Sequence, residues 1–170
     1  EASYDEFKKI ALDVKKVTDK YNVPMIINDN VELAKDIDAD GVHVGGDDMS
    51  VANARKILGD NKIIGATART YERAVTAVSQ GADYLGIGAM FDTSTKSGTT
   101  HMTKELSQKI TSYANIPVVG IGGINSENIM TLEGYGIDGV AVVSAIFKSE
   151  DIEKSAKIMK EKASKIVRES

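Results

Sequence analysis

Three short segments of this chain echo one another, and they restrict its fold more than any other feature of the sequence. Ala39-Asp40-Gly41-Val42-His43-Val44 is matched by Ala82-Asp83-Tyr84-Leu85-Gly86-Ile87 and again by Ile137-Asp138-Gly139-Val140-Ala141-Val142. Gly81 and Gly136 stand just ahead of two copies, where a helix has to end in a left-handed residue before the chain turns into a strand. Repeated turns from helix to strand belong to an α/β barrel or a doubly wound sheet.

The rest of the chain alternates in step with the repeat. Apolar runs at Met25–Ile27, Val42–Val44, Ile63–Ala66, Tyr84–Ile87, Val118–Ile121 and Val140–Val143 predict six strands. The runs are apolar almost without a break, as strands buried on both faces of a parallel sheet must be. Helical spacing is found over 3–21, with Ser3 placed to cap and Phe7, Ile10, Leu12, Val14 and Val17 as the apolar set. Further helices are expected near 31–38, 50–58, 70–79, 103–114, 125–134 and 150–167. Neither G-x-G-x-x-G nor G-x-x-x-x-G-K-[ST] occurs, so the common nucleotide-binding folds lose support. The expected fold is α/β, a TIM (β/α)8 barrel, with residues 1–170 forming a single domain of about six β/α units.

Composition removes several classes of function. A net charge of −4 leaves no basic footprint, so neither nucleic acid nor an anionic membrane is an expected partner. The absence of cysteine rules out disulfides and thiolate metal sites. No apolar run approaches the ~20 residues that span a bilayer. Glu1 opens an acidic, polar stretch rather than a signal peptide, and a cytoplasmic location is expected.

In a TIM barrel the chemistry gathers in the loops after the strands. Gly122-Gly123, followed by a helix expected from about Asn125, would let backbone N–H groups and a positive helix end approach a phosphate. Val143-Ser144-Ala145 follows the last strand and adds a hydroxyl. Asp29 and Asp48 follow the first two strands and could share Mg²⁺, an oxygen-seeking ion often completed by substrate phosphates. Each aspartate also sits where it could simply cap the next helix. Lys96, beside Thr93 and Thr95, offers a cation and two hydroxyls to an anion, or is a solvated loop lysine. His43 falls within a strand and His101 in a polar loop, with no metal-spaced partner or catalytic triad for either.

These segments together resemble thiamine phosphate synthase. The resemblance is carried by Pro24-Met25-Ile26-Ile27-Asn28-Asp29, Asp40-Gly41-Val42-His43-Val44-Gly45 through Asp48, Thr93-Ser94-Thr95-Lys96, Gly120-Ile121-Gly122-Gly123-Ile124 and Asp138 through Ile146. It implies an enzyme of thiamine biosynthesis, a transferase joining 4-amino-5-hydroxymethyl-2-methylpyrimidine diphosphate to a thiazole phosphate, with release of diphosphate. Asp29 and Asp48 would then hold Mg²⁺ on the diphosphate. Asn28, Thr67 and Lys96 would bind the pyrimidine diphosphate, with Thr67 and Lys96 as the catalytic residues. Thr93, Ser94, Thr95, Gly123, Val143 and Ser144 would bind the thiazole phosphate.

The sequence departs from the family pattern in several places. Gly46 and Asp47 replace a usual Gln-Glu, Asp92 replaces a proline, Thr67 replaces a serine, and Arg69 replaces a histidine; Ser97 to Lys104 also differ. Family members begin with a strand, a helix and a second strand ending in Gln-Leu-Arg-Glu-Lys, and this chain starts at about the end of that motif. The fold is therefore expected to be amino-terminally incomplete, and its open strand edges leave room for a homo-oligomer. Two alternatives accompany the synthase reading: a thiazole tautomerase-like relative, and a non-catalytic phosphate-ligand-binding barrel fragment. The paired aspartates weigh against the tautomerase, which has no diphosphate to neutralise.

Overall fold

The computed structural model describes residues 3–46, 48–92 and 101–167. The chain forms two compact units, one of Glu1–Ala66 with Ser79–Asp83 and the other of Thr67–Val78 with Tyr84–Ser170.

The first unit opens with α1 (Tyr4–Lys20) and continues through β1 (Ile26–Asn28), α2 (Val31–Asp36), β2 (Gly41–Val44), α3 (Val51–Leu58) and most of β3 (Ile63–Thr67). Ser3 and Glu6 form a capping box that starts α1, as the position of Ser3 predicts. β1, β2 and β3 lie side by side and parallel, with Ile27 opposite Val42 and Val42 opposite Ile64. Ile27, Leu33, Val42, Val44, Ala54 and Ile64 form the core of this unit. α1 behaves differently from its neighbours. Ala11 is buried, but Phe7, Ile10, Leu12, Val14 and Val17 are 40–56% exposed, so the apolar set of this helix is largely uncovered. Its tie to α2 is polar: the Tyr4 hydroxyl and the Lys8 ammonium both donate to Asp36 Oδ2, at 2.8 and 2.9 Å.

The second unit carries α4 (Tyr71–Ser79), β4 (Tyr84–Gly88), α5 (Lys104–Tyr113), β5 (Val118–Ile121), β6 (Gly139–Ala141), α6 (Ser144–Phe147) and α7 (Ile152–Ile166). Here β4, β5 and β6 are neighbours in chain order and again parallel. Leu85, Ile87, Ile110, Val118, Ile129, Leu132 and Ile137 are fully buried among these elements. The described residues thus hold the expected α/β alternation with six parallel strands, a TIM-like arrangement.

The repeated segments have a physical job. Asp40 Oδ2 accepts from the Met25 N–H, Asp83 Oδ2 from Ile64 N–H, and Asp138 Oδ2 from Val118 N–H, each at 2.7 Å. In every copy the aspartate ahead of one strand satisfies a donor at the start of the strand before it. The residue two places earlier is left-handed each time, as Asp38 (φ 52°), Gly81 (φ 86°) or Gly136 (φ 76°). The glycines match expectation, while the first copy uses an aspartate, a residue that tolerates this region.

Two expectations are corrected. Residues 125–134 do not form a helix; turns lead into a single 3₁₀ turn over Ile129–Leu132. Asn125 Oδ1 accepts from the Glu127 and Asn128 N–H groups, Asn128 Oδ1 accepts from the Asn125 N–H, and Asn128 Nδ2 donates to the Gly123 carbonyl. Such side-chain bonds offer the backbone an alternative to a helix, and the apolar spacing does not reveal them. Conversely, α6 begins directly at Ser144, where no helix was expected.

Two outcomes follow from these bonds. Asp138→Ala should leave a buried N–H at Val118 unsatisfied and lower stability by about 1–3 kcal/mol in denaturant titration. The Asp36 carboxyl is held below the usual carboxylate range, first by the Lys8 hydrogen bond and then by that of Tyr4. A depressed carboxyl lends stability above its unfolded pKa and loses it as pH falls through the folded one. The α1–α2 clasp should therefore weaken below about pH 4, and Asp36→Asn should remove that acid-dependent part in thermal melts taken across this range.

Candidate functional site

At the carboxyl end of the strands in the first unit, β1 and β2 bring two carboxylates together. Asp29 follows β1 in a left-handed conformation (φ 66°), and its N–H donates to the His43 carbonyl at 2.8 Å. The Asn28 amide donates to Asp29 Oδ2 at 2.6 Å, which orients both side chains. Asp48 Oδ2 accepts from the Gly45 N–H at 2.7 Å. A Cβ on Gly45 would lie 2.5 Å from Asp48 Oδ2 and 3.8 Å from Asp29 Oδ1. Glycine thus keeps open a small hollow on which both carboxylates converge.

Neither aspartate caps a helix, the alternative the sequence left open. The cap of α2 is Asn30, accepting from Leu33 N–H at 2.9 Å, and the cap of α3 is Ser50, accepting from Asn53 N–H at 3.3 Å. Among the described residues no group of three or more His, Asp or Glu side chains is placed to hold a metal. Two converging carboxylates nonetheless fit Mg²⁺, which commonly binds one or two carboxylates and completes its shell with water and substrate phosphates.

In the second unit, described residues that follow β4, β5 and β6 line an open cavity of about 270 Å³. Gly123, Asn125 and Ser144 line it, together with Asp92 and Lys148. Gly123 and Ser144, expected at one phosphate site, are therefore brought together. Val143 sits just ahead of Ser144, 64% exposed, and its carbonyl accepts from the Ile146 and Phe147 N–H groups. Asp92 Oδ1 lies 2.9 Å from His101 Nε2. Glycine is required at 123 by the backbone around it. Its φ is 68°, and a Cβ would overlap the backbone of Phe91 and Asp92.

Thr67 ends β3 and is half-buried, and the next residue, Ala68, donates its N–H to the Gly86 carbonyl at 2.8 Å. Thr93, Ser94, Thr95 and Lys96 lie outside the described residues. Lys148 is the lining residue that the sequence did not single out. The missed signal is its position four residues after Ser144, which matters only once α6 is known to be a helix.

A β/α protein with paired carboxylates at two strand ends, and a polar, glycine-lined cavity at others, belongs with enzymes that handle phosphorylated small molecules. Known proteins agree. Residues 1–146 match the family described as thiamine monophosphate synthase. The thiamine-phosphate synthase of Ruminiclostridium cellulolyticum is 51% identical over 155 residues, which cover 91% of this chain and 74% of that protein. That of Clostridium botulinum is 46% identical over 166 residues, covering 98% and 78%. The solved thiamine phosphate pyrophosphorylase of Pyrococcus furiosus superposes with a TM-score of 0.88 at 35% identity, over 98% of this chain and 80% of that one. The chain belongs to the thiamine monophosphate synthase family.

Gly123→Ala should test the structural part of the cavity. The added Cβ meets two backbone segments at a positive φ, so a loss of about 1–3 kcal/mol is expected in chemical denaturation, before any ligand is added.

Proposed function

We propose that this chain performs the transfer reaction of its family, in which the pyrimidine diphosphate and the thiazole phosphate combine to thiamine phosphate and diphosphate. The observation that carries the reading is the convergence of Asp29 and Asp48 over Gly45, with helix capping done by Asn30 and Ser50 instead. The curated names of the relatives favour a synthase over a tautomerase or a non-catalytic barrel.

Departure of diphosphate leaves a cation on the pyrimidine methylene carbon, which the thiazole nitrogen captures. Such a reaction requires the leaving charge to be neutralised and the two partners to be held in line, with no strong base. Asp29 and Asp48 would hold Mg²⁺, which when bound neutralises diphosphate charge. Asn28, fixed by Asp29, would orient the pyrimidine diphosphate, as would the hydroxyl of Thr67. Lys96 would add a cation there, and Thr93, Ser94, Thr95, Gly123, Val143 and Ser144 would receive the thiazole phosphate. The uncovered apolar residues of α1 support a closed barrel of eight units, in which further strands would cover them. Among the described residues no helix is long and apolar enough to cross a membrane; a cytoplasmic location is part of the proposal.

Asp48→Asn tests this reading with little cost to the fold, because the amide oxygen can still accept from the Gly45 N–H. Turnover at saturating substrates should fall by about a hundredfold or more, while the melting temperature moves little. Unchanged turnover across a Mg²⁺ titration would remove Asp48 from the reaction.

A further inference from the structure

We propose that Lys148 is the cation that binds the phosphate group in the cavity of the second unit and so selects phosphorylated over unphosphorylated thiazole. This deepens the reading of that cavity as the thiazole phosphate site, and rests on it. The family match ends at residue 146, and the motifs that carry the resemblance stop at Ile146, so nothing in either assigns Lys148 a role.

Its position comes from α6. The Lys148 N–H donates to the Ser144 carbonyl at 3.0 Å, one helical turn back. Residues four apart share a helix face, so the Lys148 side chain stands on the same side as the Ser144 hydroxyl. Both line the cavity.

Charge bookkeeping then singles the lysine out. Among the described residues that line it, the other with a full charge is Asp92, a carboxylate that opposes a phosphate. Asp92 Oδ1 lies within hydrogen-bond reach of His101 Nε2, at 2.9 Å. Two side-chain groups of the glycine loop are engaged in holding the loop: Asn125 Oδ1 accepts two backbone N–H bonds and Asn128 Nδ2 donates to the Gly123 carbonyl. Lys148, by contrast, makes no ion pair or side-chain hydrogen bond with any described residue. An exposed ammonium at the cavity wall, one turn beyond a serine hydroxyl, is placed to give a dianion a charge-assisted hydrogen bond that the serine alone cannot supply.

Calorimetric titration of the chain with the thiazole phosphate and with its dephosphorylated alcohol tests this, using Lys148→Gln, Lys148→Arg and Ser144→Ala beside the parent. Lys148→Gln should weaken the thiazole phosphate by about tenfold and make its binding less sensitive to salt, while the alcohol changes by less than about twofold. Lys148→Arg should retain most of the affinity. Equal loss of phosphate and alcohol in Lys148→Gln would mean a structural role and overturn the proposal. Unchanged phosphate binding in Lys148→Gln, with loss in Ser144→Ala, would overturn it while leaving the cavity reading intact. No change in either variant would overturn both.

Discussion

Each repeated aspartate accepts a hydrogen bond from a backbone N–H at the start of the preceding strand, and the positions of the strands depend on this contact. Asp40, Asp83 and Asp138 do it with nearly the same geometry at Met25, Ile64 and Val118. Parallel strands are joined by long connections, so no tight turn sets their register. A charged acceptor that satisfies an otherwise unmatched donor supplies a local lock at that point. Asp83 extends the lock further, since Arg55 also binds it, at 2.6 Å, and holds the carbonyls of Gly59, Lys62 and Gly81.

The two ends of the strands are consequently under different demands. The amino ends carry the aspartate locks and left-handed turns, and their polar atoms are matched within the fold. The carboxyl ends carry Asp29, Asp48, Gly123, Ser144 and Lys148, where the fold gathers charges and hydroxyls around hollows. Loop packing links the two demands at Gly123. Its backbone runs so close to Phe91 and Asp92 that no side chain fits, and the cavity wall is built by that close approach.

Strands were legible because continuous apolar runs such as Val42–Val44 and Leu85–Ile87 suit burial on both faces. The helix expected over 125–134 was not, because Asn125 and Asn128 bind backbone groups of their own loop, a preference that hydrophobic spacing does not report. Asp29 and Asp48 could be read either as caps or as ligands. Only the positions of Asn30 and Ser50, one and two residues further on, remove the capping reading.

The sequence by itself determined the α/β alternation, the six strands, the aspartate repeat and membership of the synthase family, because each is written in local periodicity or in motifs of fixed spacing. Tertiary structure decided which groups meet. Asp29 and Asp48 are nineteen residues apart in the chain, and they converge because β1 and β2 are parallel neighbours. Gly123 and Ser144 share a cavity because β5 and β6 are neighbours as well. Lys148 joined them for a reason the sequence could not express: the single turn of α6 brings its N–H back to the Ser144 carbonyl, and both residues line the cavity.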